Sequence, residues 1–150
     1  HTPSAGSPAP RWPGAHAVYA NTDSVFVKLP GRSAAAAVDE GRAMAAFVSA
    51  HAQMPRALTL EFERVLAPCL LDGHNRYAGA EWVTGAESSP KLHQKGLLDR
   101  TQCAFIRGTI EAAMKALLVE GSEEAALAYG VQAAKNLRGG KVDAAQLAEG

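Results

Sequence analysis

With 150 residues, and 15 Lys plus Arg against 15 Asp plus Glu, the chain can hold one domain or part of one. It carries no global basic field, so nucleic-acid contact has to come from local patches. Cys69 and Cys103 are the two cysteines, too far apart for a zinc framework; they fit packed thiols of a reduced intracellular protein. No apolar run approaches membrane-spanning length, and no secretory signal is visible. Abundant alanine and few aromatics point to a core of small side chains, which suits helices more than sheets.

The opening residues 1–16 hold Pro3, Pro8, Pro10 and Pro13 among Ser, Ala and Gly. Proline removes backbone donors, so this stretch reads as an irregular leader. The first residue is not Met, and the chain reads as a piece of something longer. Val18–Val27 follows as a hairpin. Two runs of strand formers flank Asn21, Thr22, Asp23 and Ser24, all turn formers. Asp23 is therefore offered outward at a tip held by two strands. That suits a metal ligand and equally an ordinary turn.

Ser33 is placed to cap a helix running from Ala34 to about Gln53, closed by Pro55. Ala37, Gly41, Met44, Val48 and His51 share its apolar stripe. Leu58–Val65 alternates, with Leu58, Leu60 and Phe62 on one face and Thr59, Glu61 and Glu63 on the other. That is the period of a strand. Its two carboxylates make either a solvated surface or, if they face the hairpin tip, an acidic cluster with Asp23. Leu66–Leu71 continues the sheet at an edge, because Pro68 cannot donate to a ladder. Asp72-Gly73-His74-Asn75 is a turn, and Arg76–Val83 returns as a strand. Residues 84–90 are a polar loop.

Lys91, Lys95, Arg100 and Arg107 concentrate positive charge after that loop. Arg100–Glu120 is the best helix of the chain, with Cys103, Ile106, Ile110, Met114 and Leu117 as its buried stripe. Gly121 ends it, and Ser122 caps a second helix to about Leu137. Leu127, Val131 and Ala134 are its expected buried positions. The remainder reads as a frayed tail.

Taken in order, the hairpin, Leu60-Glu61-Phe62-Glu63-Arg64, Arg76-Tyr77-Ala78-Gly79 and Gln94-Lys95-Gly96-Leu97 resemble the palm-to-thumb region of family B DNA polymerases. The likeness covers about residues 17–137 and is nearest to the delta branch of the family. It implies that the hairpin is the third polymerase motif, usually Tyr-Gly-Asp-Thr-Asp-Ser. Asp23 would then be the second motif aspartate, a catalytic residue and metal ligand. Asn21 stands where the family has its first aspartate, and Ala20 where it has glycine. Glu63 matches a family carboxylate near the metals, with Glu61 a weaker candidate. Arg76 and Tyr77 match a segment that touches the primer, whose two lysines are His74 and Asn75 here. Lys95, Gly96 and Arg100 complete the DNA-binding set implied. Residues 98–102 are about two residues shorter than the family's loop, with one arginine in place of a pair.

The resemblance implies an α+β fold: an antiparallel palm-type sheet with a packed helix, then a helical thumb base. Residues 17–96 would be the end of the palm and 97–150 the start of the thumb. It further implies Mg2+ in a two-metal site completed outside this chain, with primer-template DNA and a deoxynucleoside triphosphate as substrates. Accessory replication subunits and a nuclear location follow from the same likeness; no membrane is involved. By itself the chain is expected not to polymerise. A degenerate polymerase relative that only binds DNA, and an unrelated α/β interaction domain, are the other readings the residues allow.

Overall fold

The computed structural model describes residues 11–86 and 89–148. Residues 1–10 of the expected irregular leader lie outside them. Two compact units divide between Phe62 and Glu63.

In the first unit, β1 (His16–Ala20) and β2 (Val25–Lys28) pair antiparallel, with a bulge at Val18. Tyr19 and Phe26 stand opposite each other and meet edge to face at 5.3 Å, an aromatic cross-strand pair. Helix α1 (Ala34–Ser49) follows. The Ser33 hydroxyl accepts from the Ala36 amide at 3.2 Å, as expected of a cap. Its buried contribution is Ala37 and Val38. Arg32 ties the unit together: it pairs with Glu40 at 3.2 Å and donates to the carbonyls of Pro30 at 2.8 Å and Pro13 at 2.9 Å. Trp12 packs edge-on against Phe47 at 5.4 Å, so the end of the leader docks on α1.

Leu58–Arg64 is not a strand. The alternation is real, since Leu60 and Phe62 are half-buried while Glu61 and Glu63 are exposed. Its partner, however, is α1 and not a sheet. The Ser49 hydroxyl accepts from the Leu60 amide at 2.8 Å and donates to the Leu60 carbonyl at 3.2 Å. One side chain thereby takes both backbone groups that a neighbouring strand would pair. Phe62 lies over Gly41, where a Cβ would come within 2.7 Å of its ring. The Arg42 guanidinium stands 5.6 Å from the centre of that ring. Helix α1 also ends earlier than its periodicity suggested, and His51 is exposed beyond it.

The second unit opens with a three-stranded antiparallel sheet in the order β3 (Val65–Gly73), β4 (Arg76–Trp82), β5 (Lys91–Lys95). The turn between β3 and β4 has Asn75 in the left-handed region at φ 55, and Arg76 pairs with Asp72 at 2.8 Å. Strand β5 falls where no strand was expected. Its five residues, Lys-Leu-His-Gln-Lys, have a single apolar member, and pairing with β4 holds them.

Helices α2 (Ala104–Leu118) and α3 (Glu123–Arg138) follow, then the short α4 (Ala144–Leu147). Gly121, at φ 67, makes the left-handed turn between α2 and α3, and the Ser122 amide returns to the Ala116 carbonyl at 2.9 Å. The core lies where α2 covers one face of the sheet. Ala78, Met114 and Leu118 are buried, with Leu92, Leu97, Leu98 and Ile110 packed around them. The expected helical stripes need correction. Ile106 and Leu117 are 43% and 39% exposed, and the buried line of α2 is Met114, Ala116 and Leu118. Helix α3 buries no residue; Leu127, at 70%, and Val131, at 45%, are exposed, as is Ala134. Cys69 is exposed on edge strand β3, facing Gly79, which has no side chain to cover it; Cys103 is half-buried before α2. The α+β class with antiparallel sheets and a helical C-terminal part stands as expected. Among the described residues no helix is long and apolar enough to cross a membrane.

Gly79 sits in the middle of the sheet. A Cβ there would stand 2.8 Å from both the Pro68 carbonyl oxygen and the Leu66 Cβ, one of them main chain. Gly79→Ala is expected to destabilise the chain by about 1–3 kcal/mol, the usual range for overpacking. Urea unfolding of the two proteins, followed by circular dichroism, measures it.

Candidate nucleic-acid interface and metal-binding tip

The tip of the first hairpin is built around Asn21. Its amide donates to the Ser24 carbonyl at 3.0 Å, closing the turn. Its side-chain oxygen accepts from the amides of Asp23 (3.3 Å) and Ser24 (2.8 Å) and from the Ser24 hydroxyl (2.7 Å). This is the local bonding that makes Asn a turn former. The oxygen is thus taken up in ordering the turn. Asp23 stands beside it with its side chain exposed to water. As a donor set the tip offers one hard carboxylate, suited to a divalent cation but short of a complete shell. Among the described residues no group of three or more His, Cys, Asp or Glu gathers around a common point.

Asp23 and Glu61 belong to the first unit, Glu63 to the second. Glu61 is exposed. Glu63 is 67% exposed and lies 3.6 Å from the Arg64 guanidinium, a loose surface pairing.

The remaining predicted residues fall on the three-stranded sheet and the loop after it. Period-two alternation divides β4. Ala78 and Ala80 turn inward to the core, while Tyr77, Gly79 and Glu81 lie on the other face. The register places Lys95 opposite Tyr77, His93 opposite Gly79 and Lys91 opposite Glu81. One sheet face therefore carries a tyrosine, a histidine, two exposed lysines and Glu81. Arg64 joins them: its Nη1 donates to Glu81 Oε1 at 2.6 Å and lies 2.9 Å from His93 Nδ1. The Tyr77 and His93 rings stack at 5.9 Å with 25° between their planes. Burial and the Arg64 charge push the His93 pKa below its usual 6.5, and Glu81 and Glu63 oppose them. Arg64, Glu81 and His93 escaped sequence reasoning. The signal was there in the two-residue spacing 77, 79, 81 and 91, 93, 95, once β5 is taken as a strand.

Gly96 follows β5 at φ 69, and a Cβ there would run into the Asn75 carbonyl oxygen. Its need for glycine is accounted for inside the fold. Arg76 is paired with Asp72, as noted, and exposed beside this contact. Arg100 is exposed on a short ordered loop. There Gln94 Oε1 accepts from the amides of Leu97 and Leu98 at 3.3 Å each, and Asp99 Oδ1 accepts from the Thr101 amide at 2.9 Å. The bonds from Thr101, with Arg76 adding a smaller pull, hold the Asp99 carboxyl below the usual carboxylate range. Tyr77, Lys95, Gly96, Arg76 and Arg100 thus all belong to the second unit, on β4, β5 and the loop that follows. Such a mixture of cations and rings can meet phosphates and a sugar edge together.

Comparison with known proteins gives these features a family. The sequence matches the model of DNA polymerase family B over residues 3–148. It is 31% identical to the DNA polymerase delta catalytic subunit of Mesocricetus auratus over 135 residues, covering 89% of this chain and 12% of that protein. It is 33% identical to the delta catalytic subunit of Schizosaccharomyces pombe over 132 residues, 87% of this chain and 12% of that protein. The DNA polymerase zeta catalytic subunit of Mus musculus is 34% identical over 109 residues, 71% of this chain and 3% of that protein. The chain spans 12% of the length of the delta relatives it matches. With the match running through hairpin, sheet and helices alike, the chain belongs to DNA polymerase family B.

Proposed function

We propose that this chain supplies the end of the palm, residues 17–96, and the start of the thumb, residues 97–150, of a DNA-directed DNA polymerase that extends a primer 3′ hydroxyl with deoxynucleoside triphosphates. The observation that carries this reading is the Asn21-ordered tip, which offers an exposed Asp23 carboxylate on two paired strands. In this reading Asp23 holds Mg2+, and Glu63 is the second catalytic carboxylate this chain supplies. Bound divalent ions would supply charge stabilisation at the transferring phosphoryl group. Tyr77, Lys95, Arg76, Arg100 and the bare backbone at Gly96 grip primer-template DNA. Support comes from their shared location in the second unit and from the names of the relatives. Nuclear location and accessory replication subunits belong to the same proposal.

A second reading has one observation in its favour. Asn21 contributes no charge, and its oxygen is engaged in the turn. A polymerase relative that binds DNA without chemistry would tolerate that.

One measurement decides between them, and a second tests the DNA face that both share. In a delta catalytic subunit whose corresponding segment is replaced by this chain, primer extension is expected. Asp23→Ala should then lower the rate by on the order of a thousandfold or more. A chimera that binds primer-template DNA but never extends it favours the second reading. For the DNA face, anisotropy titrations of a primer-template duplex with this chain should weaken in Lys95→Ala. The slope of log affinity against log salt should fall by about one. Unchanged affinity and slope would remove Lys95 from the interface.

A further inference from the structure

The geometry points to His93 as a positioning residue for Tyr77, holding the tyrosine ring on the open face of the sheet through a stack that Arg64 and Glu81 brace from behind. This deepens the proposed function and rests on Tyr77 being a DNA contact. Tyr77 and His93 are diagonal neighbours across β4 and β5, at a separation from which aromatic rings reach one another. The residue directly opposite His93 is Gly79, and the place a Cβ would take there is filled by Leu66 and the Pro68 carbonyl oxygen of the β3 bulge. The imidazole meets the tyrosine along the diagonal instead, and the two rings lie 25° from parallel at 5.9 Å.

The other edge of the imidazole is held as well. A guanidinium only donates, so the 2.9 Å approach of Arg64 Nη1 requires a lone pair on His93 Nδ1. The ring is then neutral, with its proton on Nε2. Arg64 Nη1 has two hydrogens; the second goes to Glu81 Oε1 at 2.6 Å, which fixes the guanidinium. The result is a chain from Glu81 to Arg64 to His93 to Tyr77. Around the imidazole stand Arg64 and Glu63 from the segment entering β3, Glu81 from β4 and Lys95 from β5. Burial opposes a proton on the imidazole most, Arg64 and more weakly Lys95 add to the opposition, and Glu81 and Glu63 favour the proton. Protonating Nδ1 would set an N–H against the Arg64 N–H and break the brace.

A ring fixed before binding loses less rotamer freedom when DNA arrives. The test is a double-mutant cycle on the full 150-residue chain, reading affinity for a primer-template duplex by fluorescence anisotropy at pH 7.5. His93→Ala should weaken binding roughly threefold to tenfold, the cost of restoring the rotamer freedom that the stack removes from one side chain. Tyr77→Ala should weaken it at least as much. The double variant should bind no worse than Tyr77→Ala alone, because His93 acts through the tyrosine. Additive losses in the cycle overturn the positioning role while leaving Tyr77 a DNA contact. If Tyr77→Ala binds as the unsubstituted chain does, the DNA-contact reading and this inference both fall. A measurement without DNA guards against misfolded variants. In the unsubstituted chain the Tyr77 ring proton resonances should shift with a midpoint below pH 6.5, and in His93→Phe that step should vanish. Tyr77 resonances that stay unmoved while the His93 ring resonances titrate would overturn the brace.

Discussion

Everything in the second unit depends on three residues without bulk. Ala78, Gly79 and Ala80 run consecutively along the central strand, and all three are buried. The two alanines are buried, and Ala78 allows α2 to bring Met114 and Leu118 onto the sheet. Between them Gly79 lets the bulged part of β3 approach to where a Cβ would collide with main chain. A larger residue at any of the three would push one layer away. What stays fixed as a consequence is the opposite face, where Tyr77 and Glu81 flank Gly79 and His93, opposite Gly79, stacks on Tyr77. The chemistry-bearing surface is thus a by-product of how flat the middle of the strand is.

The hairpin tip illustrates a different economy of means. A four-residue connection of exposed polar residues would ordinarily wander. Here one amide oxygen gathers two backbone N–H groups and a hydroxyl, and the cross-strand Tyr19–Phe26 pair anchors the strands below. A carboxylate at Asn21 would accept the same bonds and add a charge beside Asp23. The asparagine keeps the shape of the turn and drops that charge. Shape and charge at this position are separable, which is why the folded tip is compatible with either functional reading.

The hairpin, the β3–β4 pair and all three long helices were legible because each is specified by local chemistry: turn formers, caps, and periods of two or 3.6. What was illegible depended on partners. Leu58–Val65 alternates as a strand does, but Ser49, eleven residues upstream of Leu60, takes up the backbone groups that pairing needs. Strand β5 is polar in sequence and exists through its register with β4. Leu127 and Val131 mark a helical stripe, yet a stripe records only what could be buried, and no residue of α3 is fully buried. For the site, Asp23, Tyr77 and Lys95 were visible as motif residues. His93, Arg64 and Glu81 were not, because no motif joins them and only the sheet brings positions 64, 81 and 93 together.

The charges on that sheet face then divide by hydrogen-bond chemistry. Arg64, the cation best shaped for two-pronged recognition, is held by Glu81 and His93 inside the protein. The exposed cations there are Lys91 and Lys95, point charges on flexible stems. An arginine so engaged contributes geometry, and a lysine so exposed contributes salt-sensitive attraction. For a surface that meets a duplex of any sequence, that division is physically sensible. Under the proposed function, the stacked rings and the braced arginine would give a duplex backbone a fixed surface, and the lysines would add attraction for phosphate without reading bases.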